Sequence, residues 1–382
     1  MRNETSKKCP LYQWIPDSLS HEVREVIDRL AQTEDVQHIA IMPDVHLANE
    51  ACIGTVIATE SLLLPGAIGS DIGCGMAAIQ LRAGEDLLKD PRNSDLMLKE
   101  LRKKIPTMRH CRDNMIPVPE FPHQAHLSCL ELDKSYERDG KLEFGTLGTG
   151  NHFLEIQVDE PGNLWLMVHS GSRGMGNFIR THHLKSIRKT KTGFQVLDAK
   201  ALEGRAFLQD VQWALLYAQA NREAIIQAVC QIFLEFFGVE TCPESYRDCH
   251  HNSVVQETHF GKDFWVHRKG AVRAHKGLPG IIPGSMGTAS YLTIGRGCPE
   301  ALCSSSHGAG RKLSRTEARR RISQNAFQKS MEHVWFERRF ISKLLDEAPQ
   351  AYKDIQAVMR AQKDLVKIET RLRPLLNSKG VI

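Results

Sequence analysis

The sequence predicts a globular chain that mixes strands and helices, and three observations carry that reading. Short apolar runs rich in β-branched residues recur at 38–42, 55–59, 76–81 and 164–168, each of strand length. A longer stretch, 205–237, is apolar on one face, has helical length and is closed by Gly238. No internal repeat, low-complexity tract or linker composition divides the 382 residues.

Taken in order, residues 20–31 set Val23, Val26, Ile27 and Leu30 at helical spacing, an amphipathic helix. The run 38–42 reads as a buried strand that ends in Pro43-Asp44-Val45-His46-Leu47. An acid and a histidine two apart at that point read as a site or as a turn with an Asp cap, and the local pattern favours the turn. Region 83–140 is the least informative. Its basic residues, Arg102-Lys103-Lys104, Arg109 and Arg112, read as a solvated face, with an insert or lid over the core as the alternative. The stretch 205–237 reads as a core helix, or a pair, with no chemistry of its own. Cys249-His250-His251-Asn252 reads as a loop without a zinc-finger partner. Ser314-Arg315-Thr316-Glu317 is a capping box. Arg319, Arg320 and Arg321 are expected in that helix's first turns, where their charge opposes the dipole and reads equally as facing an anion or as a basic surface.

Composition narrows the class. A formal charge of +5 is mild for this length and does not by itself imply nucleic acid. The polar, basic start, 1–8, has no signal-peptide pattern, and ten irregularly spaced cysteines read as reduced thiols, so a cytoplasmic location is expected. No apolar run reaches the roughly 18–20 residues that span a bilayer. Seventeen histidines are many, and several stand beside glycine or asparagine rather than in apolar periodicity.

Those histidines fall in glycine-rich motifs. Ala67-Ile68-Gly69-Ser70-Asp71-Ile72-Gly73-Cys74-Gly75-Met76 sets an acid and a thiol three apart among glycines. Alone it is a tight turn before a strand or a metal site. Gly145–Gly150 runs into Asn151-His152-Phe153-Leu154-Glu155-Ile156. A regular strand there puts Asn151, Phe153 and Glu155 on one face and Leu154 and Ile156 on the other. This loop lacks the Walker lysine, and Glu155 reads as an acceptor for a base amine or as an exposed side chain. His169-Ser170-Gly171-Ser172-Arg173 and Ser306-His307-Gly308-Ala309-Gly310-Arg311 repeat the histidine-in-glycine pattern. Pro283-Gly284-Ser285-Met286 offers backbone groups to a phosphate or sugar. Together Asp71, Cys74, His152, His169 and His251 form a mixed donor set. It excludes a pure Mg²⁺ or Ca²⁺ site, admits zinc, iron, cobalt or manganese, and allows two ions with a bridging thiolate. His307 remains as a nucleophile or general base. By chemistry alone the chain is a metal-assisted phosphoryl or nucleotidyl transfer enzyme.

The ordered series DVH, AIGSDIGCGM, GTLGTGNHFLEI, HSGSRGMG, HHN, RKGA, PGSMGTASY, SHGAGR and RLRPLLNSKG, from Pro43 to Gly380, resembles the RtcB family of RNA ligases. The resemblance implies one α+β domain over 1–382, a mixed β core flanked by helices. It implies an RNA ligase that joins 2′,3′-cyclic phosphate or 3′-phosphate ends to 5′-hydroxyl ends with GTP and two Mn²⁺ ions. By motif, Cys74 would bridge the ions, with His169 and His251 on one and Asp71 and His152 on the other, and His307 would carry GMP. The guanylate pocket would be Asn151, His152, Phe153, Leu154 and Glu155; His251 and Asn252; Pro283, Gly284, Ser285, Met286 and Ser290; His307, Gly308, Ala309 and Gly310; Tyr352 and Lys379. Glu155 would read guanine. The segment Asp44-Val45-His46-Leu47-Ala48-Asn49-Glu50 departs from the family's glycine-rich form. A divergent bacterial-type paralogue is expected, acting on broken tRNA or rRNA, with a release-factor-like or activating protein as a partner. A metal-dependent phosphodiesterase or cyclic phosphatase without GTP, and a non-catalytic RNA-binding protein, are the rival classes.

Overall fold

The computed structural model describes residues 9–121 and 126–381, so the basic start 1–8 and residues 122–125 of the region 83–140 lie outside it. The fold is α+β, as expected, with strands gathered in mixed sheets and helices against their faces. The larger sheet has seven strands in the order Thr241–His250, Gly75–Gly84, Asn163–Ser170, Phe153–Val158, Val366–Lys379, Ser290–Gly295, Pro279–Ile282. A second sheet has five, Leu11–Gln13, Val36–His46, Ile53–Thr59, Lys262–Lys269 and Asn252–His259. Its first pair is parallel, and the other pairings in both sheets are antiparallel.

Alternation along the strands builds the core. Ala77, Ile79 and Leu81 face the same cluster as Leu154, Ile156, Val158, Leu164, Leu166 and Val168. Met76, Ala78, Phe153 and Met167 fill the opposite face. The 205–237 pattern becomes one helix, Leu202–Phe237, ended by Gly238 in the left-handed conformation. It lays Ile225, Ile226, Val229, Ile232 and Phe233 on the first face. Burying each such side chain stabilises the fold by about 1.5–3 kcal/mol. Helix Pro91–Lys104 adds Met97, Leu98 and Leu101 to that cluster. Its basic end pairs outward, Arg102 with Glu337 at 3.1 Å and Lys104 with Glu235 at 2.6 Å. The predicted helix at 20–31 forms as His21–Ala31, capped by Ser20.

Three local expectations are corrected. Cys249-His250-His251-Asn252 is the tight corner between the strands Thr241–His250 and Asn252–His259, not a free loop. The run from 38 does not end at Pro43 but continues as one strand, Val36–His46, with Asp44 fully buried. The capping box at Ser314 is present, but helix Arg315–Arg321 is only seven residues long. Arg319, Arg320 and Arg321 therefore occupy its last turn, where positive charge suits the dipole. Arg319 pairs with Asp346 at 3.2 Å and Arg321 with Glu317 at 3.1 Å. Among the described residues no helix is long and apolar enough to cross a membrane.

Candidate active site

Four neighbouring strands of the seven-stranded sheet deliver side chains to one end. Gly75 pairs with His250 and Ser170, Met76 with His169, and Phe153 with His169. This register brings Cys74, His152, His169 and His251 together from four separate motifs. The His251 amide donates to the Cys74 carbonyl at 2.8 Å, and the Cys74 amide to that of Asp71 at 3.1 Å. Gly75 is required because a Cβ there would lie 2.4 Å from the Cys249 carbonyl oxygen.

Two overlapping groups result, Cys74 with His169 and His251, and Cys74 with Asp71 and His152, each within 4.8 Å. Cys74 Sγ lies 3.2 Å from His169 Nε2 and 3.4 Å from His152 Nε2. Nδ1 of His152 donates to the Leu147 carbonyl at 2.9 Å, and Nδ1 of His169 to that of Asn151 at 3.2 Å. These bonds fix the tautomers and leave both Nε2 lone pairs directed at the sulfur. His152 Nε2 also lies 2.8 Å from Asp71 Oδ2, so a neutral His152 would face the carboxylate lone pair to lone pair. Burial holds His169 and His251 well below the usual histidine range, in the neutral form that ligates metal. Burial, and then the Asp71 charge, holds the Cys74 thiol well above its ordinary value. His251 Nδ1 is enclosed without a hydrogen-bond partner. A shared cation relieves each of these conflicts, and the donor set fits one.

The long helix supports the site through two buried polar side chains. Asn221 and Arg222 sit on its buried face. Asn221 Oδ1 accepts from the Gly145 amide at 2.8 Å and its Nδ2 donates to Ser170 Oγ at 3.0 Å. Arg222 Nη1 donates to the carbonyls of Gly73 at 2.8 Å and Ser170 at 3.1 Å, while Nε and Nη2 clamp Asp248 at 2.6 and 2.7 Å. One guanidinium thus ties together the backbones on either side of the ligands. Arg222→Ala is expected to destabilise the protein by about 3–5 kcal/mol, because it leaves a carboxylate and two carbonyls unmatched. Denaturant unfolding checks this, and an unchanged midpoint would contradict it.

Beside the cluster opens a cavity of about 1080 Å³. It is lined by Asn151, Phe153 and Glu155, by Pro283, Gly284, Ser285 and Met286, by His307, Gly308, Ala309 and Gly310, and by Tyr352 and Lys379. The other residues of the expected pocket stand around it. His152 and His251 belong to the donor cluster, and Leu154 faces the core. Asn252 Nδ2 donates to the Asp71 carbonyl and its Oδ1 accepts from the Gly270 amide, both at 3.0 Å. Ser290 Oγ accepts from the Gly284 amide at 3.2 Å and from Gln157 at 3.0 Å.

His307 follows the strand Ser304–Ser306 and meets Asp44, the residue read above as a turn cap. Asp44 Oδ2 accepts from His307 Nδ1 at 2.6 Å and from the His307 amide at 3.1 Å. The Nδ1 proton is thereby held, and Nε2 is left as the free nitrogen of a side chain that lines the cavity. The His307 ring lies 4.7 Å from that of His251, which joins the cavity to the donor cluster. Gly270 keeps the approach open, since a Cβ there would lie 3.0 Å from His307 Cε1.

One further group was not singled out from sequence. Glu347 is buried under Lys379 and accepts from Tyr352 Oη at 2.8 Å and from Arg315 at 2.5 Å. Glu155 is buried, accepts from Gln157 at 2.6 Å and Asn377 at 2.5 Å, and is pushed up to about 7 by burial.

A family model described as tRNA-splicing ligase RtcB matches residues 27–128 and 124–380. The chain belongs to the RtcB family. It is 37% identical to the RNA-splicing ligase RtcB of Escherichia coli K12, over 98% of both chains. It is 31% identical to the RNA-splicing ligase RtcB of Mycobacterium tuberculosis, over 89% of this chain and 96% of that one. It is 30% identical to the tRNA-splicing ligase RtcB of Nanoarchaeum equitans, over 90% of this chain and 88% of the other. The motifs that set histidines beside glycine loops, at His152, His169 and His307, thus all lie inside the matched residues.

Proposed function

We propose that the chain is an RNA ligase that joins 2′,3′-cyclic phosphate or 3′-phosphate ends to 5′-hydroxyl ends, with GTP as co-substrate and two Mn²⁺ ions at the donor cluster. Membership of a family whose relatives are named RNA- and tRNA-splicing ligases supports the reaction class. The observation that carries the reading is His307, held at Nδ1 by Asp44 at 2.6 Å, with Nε2 left free, at the wall of a nucleotide-sized cavity. His307 Nε2 attacks the α-phosphorus of GTP, an N–P bond forms, and the bond to pyrophosphate breaks. A 2′,3′-cyclic end is first opened by water to a 3′-phosphate; the 3′-phosphate then takes GMP from the histidine as the N–P bond breaks, and the 5′-hydroxyl displaces GMP to close the strand. Asp71, Cys74, His152, His169 and His251 would hold the ions, whose charge offsets that developing on phosphate oxygens. An RNA-binding scaffold needs no histidine oriented in this way, and a hydrolase that used it would turn over without GTP. The expected setting is cytoplasmic repair of broken tRNA or rRNA, with a release-factor-like or activating protein as a partner. The test is joining of a 3′-phosphate RNA to a 5′-hydroxyl RNA with Mn²⁺, with and without GTP. Joining that ignores GTP would contradict the reading.

Glu155 supplies the base selectivity in this proposal. Its carboxylate accepts from the guanine amine, a group adenine lacks at that position, so GTP should be preferred over ATP by more than about 1,000-fold. With its pKa raised to about 7, the acceptor is ionised above that pH and protonated below it. Apparent GTP affinity should therefore fall about tenfold per unit as pH drops below 7. Glu155→Gln should lose both the preference and the pH dependence. Equal labelling by ATP and GTP in the unmodified protein would count against the assignment.

A further inference from the structure

Residues 106–116 run along the outer side of the loop that leads to His152. The Gly148 amide donates to the Thr107 carbonyl at 2.8 Å and the Leu147 amide to that of Pro106 at 3.1 Å. Thr146 Oγ1 donates to the Met108 carbonyl at 3.3 Å. Leu147 is the residue whose carbonyl orients His152. Just beyond lies a second cavity of about 590 Å³ that shares no lining residue with the first. Three guanidiniums, Arg109, Arg112 and Arg138, and the imidazole of His110 line it against one carboxylate, Asp139. Asp139 is already taken by Arg138 at 2.7 Å.

Arg109 and Arg112 are exposed and have no acidic partner among the described residues. Some other basic side chains of the surface are neutralised, Arg180 by Glu50, Lys185 by Glu131 and Arg188 by Glu34. An uncompensated positive cavity calls for an anion supplied from outside. Met108, 45% exposed, adds an apolar surface beside it. Arg109 stands two residues from Thr107, so their Cα atoms are at most about 7 Å apart. An anion held there is thus a short reach from the loop that holds His152.

We propose that this cavity binds the sugar–phosphate backbone of the RNA strand as it approaches the donor cluster, with Arg109 and Arg112 on phosphates and Met108 against a ribose or base. The inference rests on the ligase reading above and deepens it. Such contacts position the strand without reading sequence. They contribute to the salt dependence of binding, with a slope of about 0.7 per phosphate for single strands.

The test is the variant Arg109→Ala/Arg112→Ala, whose side chains are exposed and make no ion pair among the described residues. Its labelling by GTP and Mn²⁺ without RNA should equal that of the unmodified protein. Its affinity for a fluorescent single-stranded 3′-phosphate RNA should drop roughly tenfold, and the slope of log K against log salt should fall by about 1.4. Arg109→Lys/Arg112→Lys should restore most of the affinity, because the contact is one of charge. Saturating RNA should also shield the exposed Cys111 thiol, which lines the cavity, from a maleimide read by peptide mass mapping. Unchanged affinity and slope in the alanine variant, or full Cys111 modification under RNA, would overturn the assignment. A protein that takes up no label from GTP and joins no ends fails the ligase reading instead, a result separable from either.

Discussion

His307→Ala should take up no label from α-labelled GTP, a loss of at least about 1,000-fold, while keeping its fold and its bound metal. Its imidazole lines the cavity and is held at one nitrogen by Asp44, so its removal deletes the attacking atom while all five donor side chains remain. The cluster's closest contacts, Cys74 with His152 and His169, do not involve it. The same variant should still join an RNA whose 3′ end already carries GMP, since that step consumes the adduct and not the histidine. Losses of this size follow when a nucleophile is removed from a preorganised site. Normal labelling of the variant would show that another group attacks.

Cys74→Ala should lose both metal ions, whereas Asp71→Ala should weaken mainly one. Cys74 Sγ is common to both donor groups, and Asp71 belongs to one. Metal content by mass spectrometry after dialysis against chelator-free buffer reads this directly. The alanine protein should retain about a tenth or less of the unmodified occupancy, because no side chain remains to bridge the two sets. The raised thiol value of the metal-free site predicts a second sign: binding must displace the Cys74 proton, so affinity should strengthen as pH rises. Full occupancy in the Cys74 variant would remove the bridging role.

The histidine motifs were legible because glycines and strand ends punctuate them. His152, His169 and His251 lie within the sequence signals for turns, and the antiparallel register then converges them on Cys74. Strand faces were legible for the same reason: Phe153 and Glu155 do line the cavity while Leu154 and Ile156 face the core. Asp44 was misjudged because proline at 43 reads as a strand end, whereas the strand continues and carries the acid to a residue 263 positions away. No local pattern contains that distance. Asn221 and Arg222 left a usable signal, a polar pair at the core-facing phase between Ala218 and Ile225. The charge of Arg319–Arg321 was weighed against a longer helix than forms, so its relation to the dipole came out reversed.

Peptide mapping of the GMP adduct is the most direct measurement of the central claim. The protein is incubated with GTP and Mn²⁺, digested at alkaline pH and sequenced by mass spectrometry, with a parallel sample held in acid. GMP should sit on the peptide that contains His307, as a phosphoramidate that survives alkali and is lost in acid. Lys379, buried against Glu347, should carry none. GMP on the Lys379 peptide, or an adduct on His307 that survives acid, would contradict the assignment.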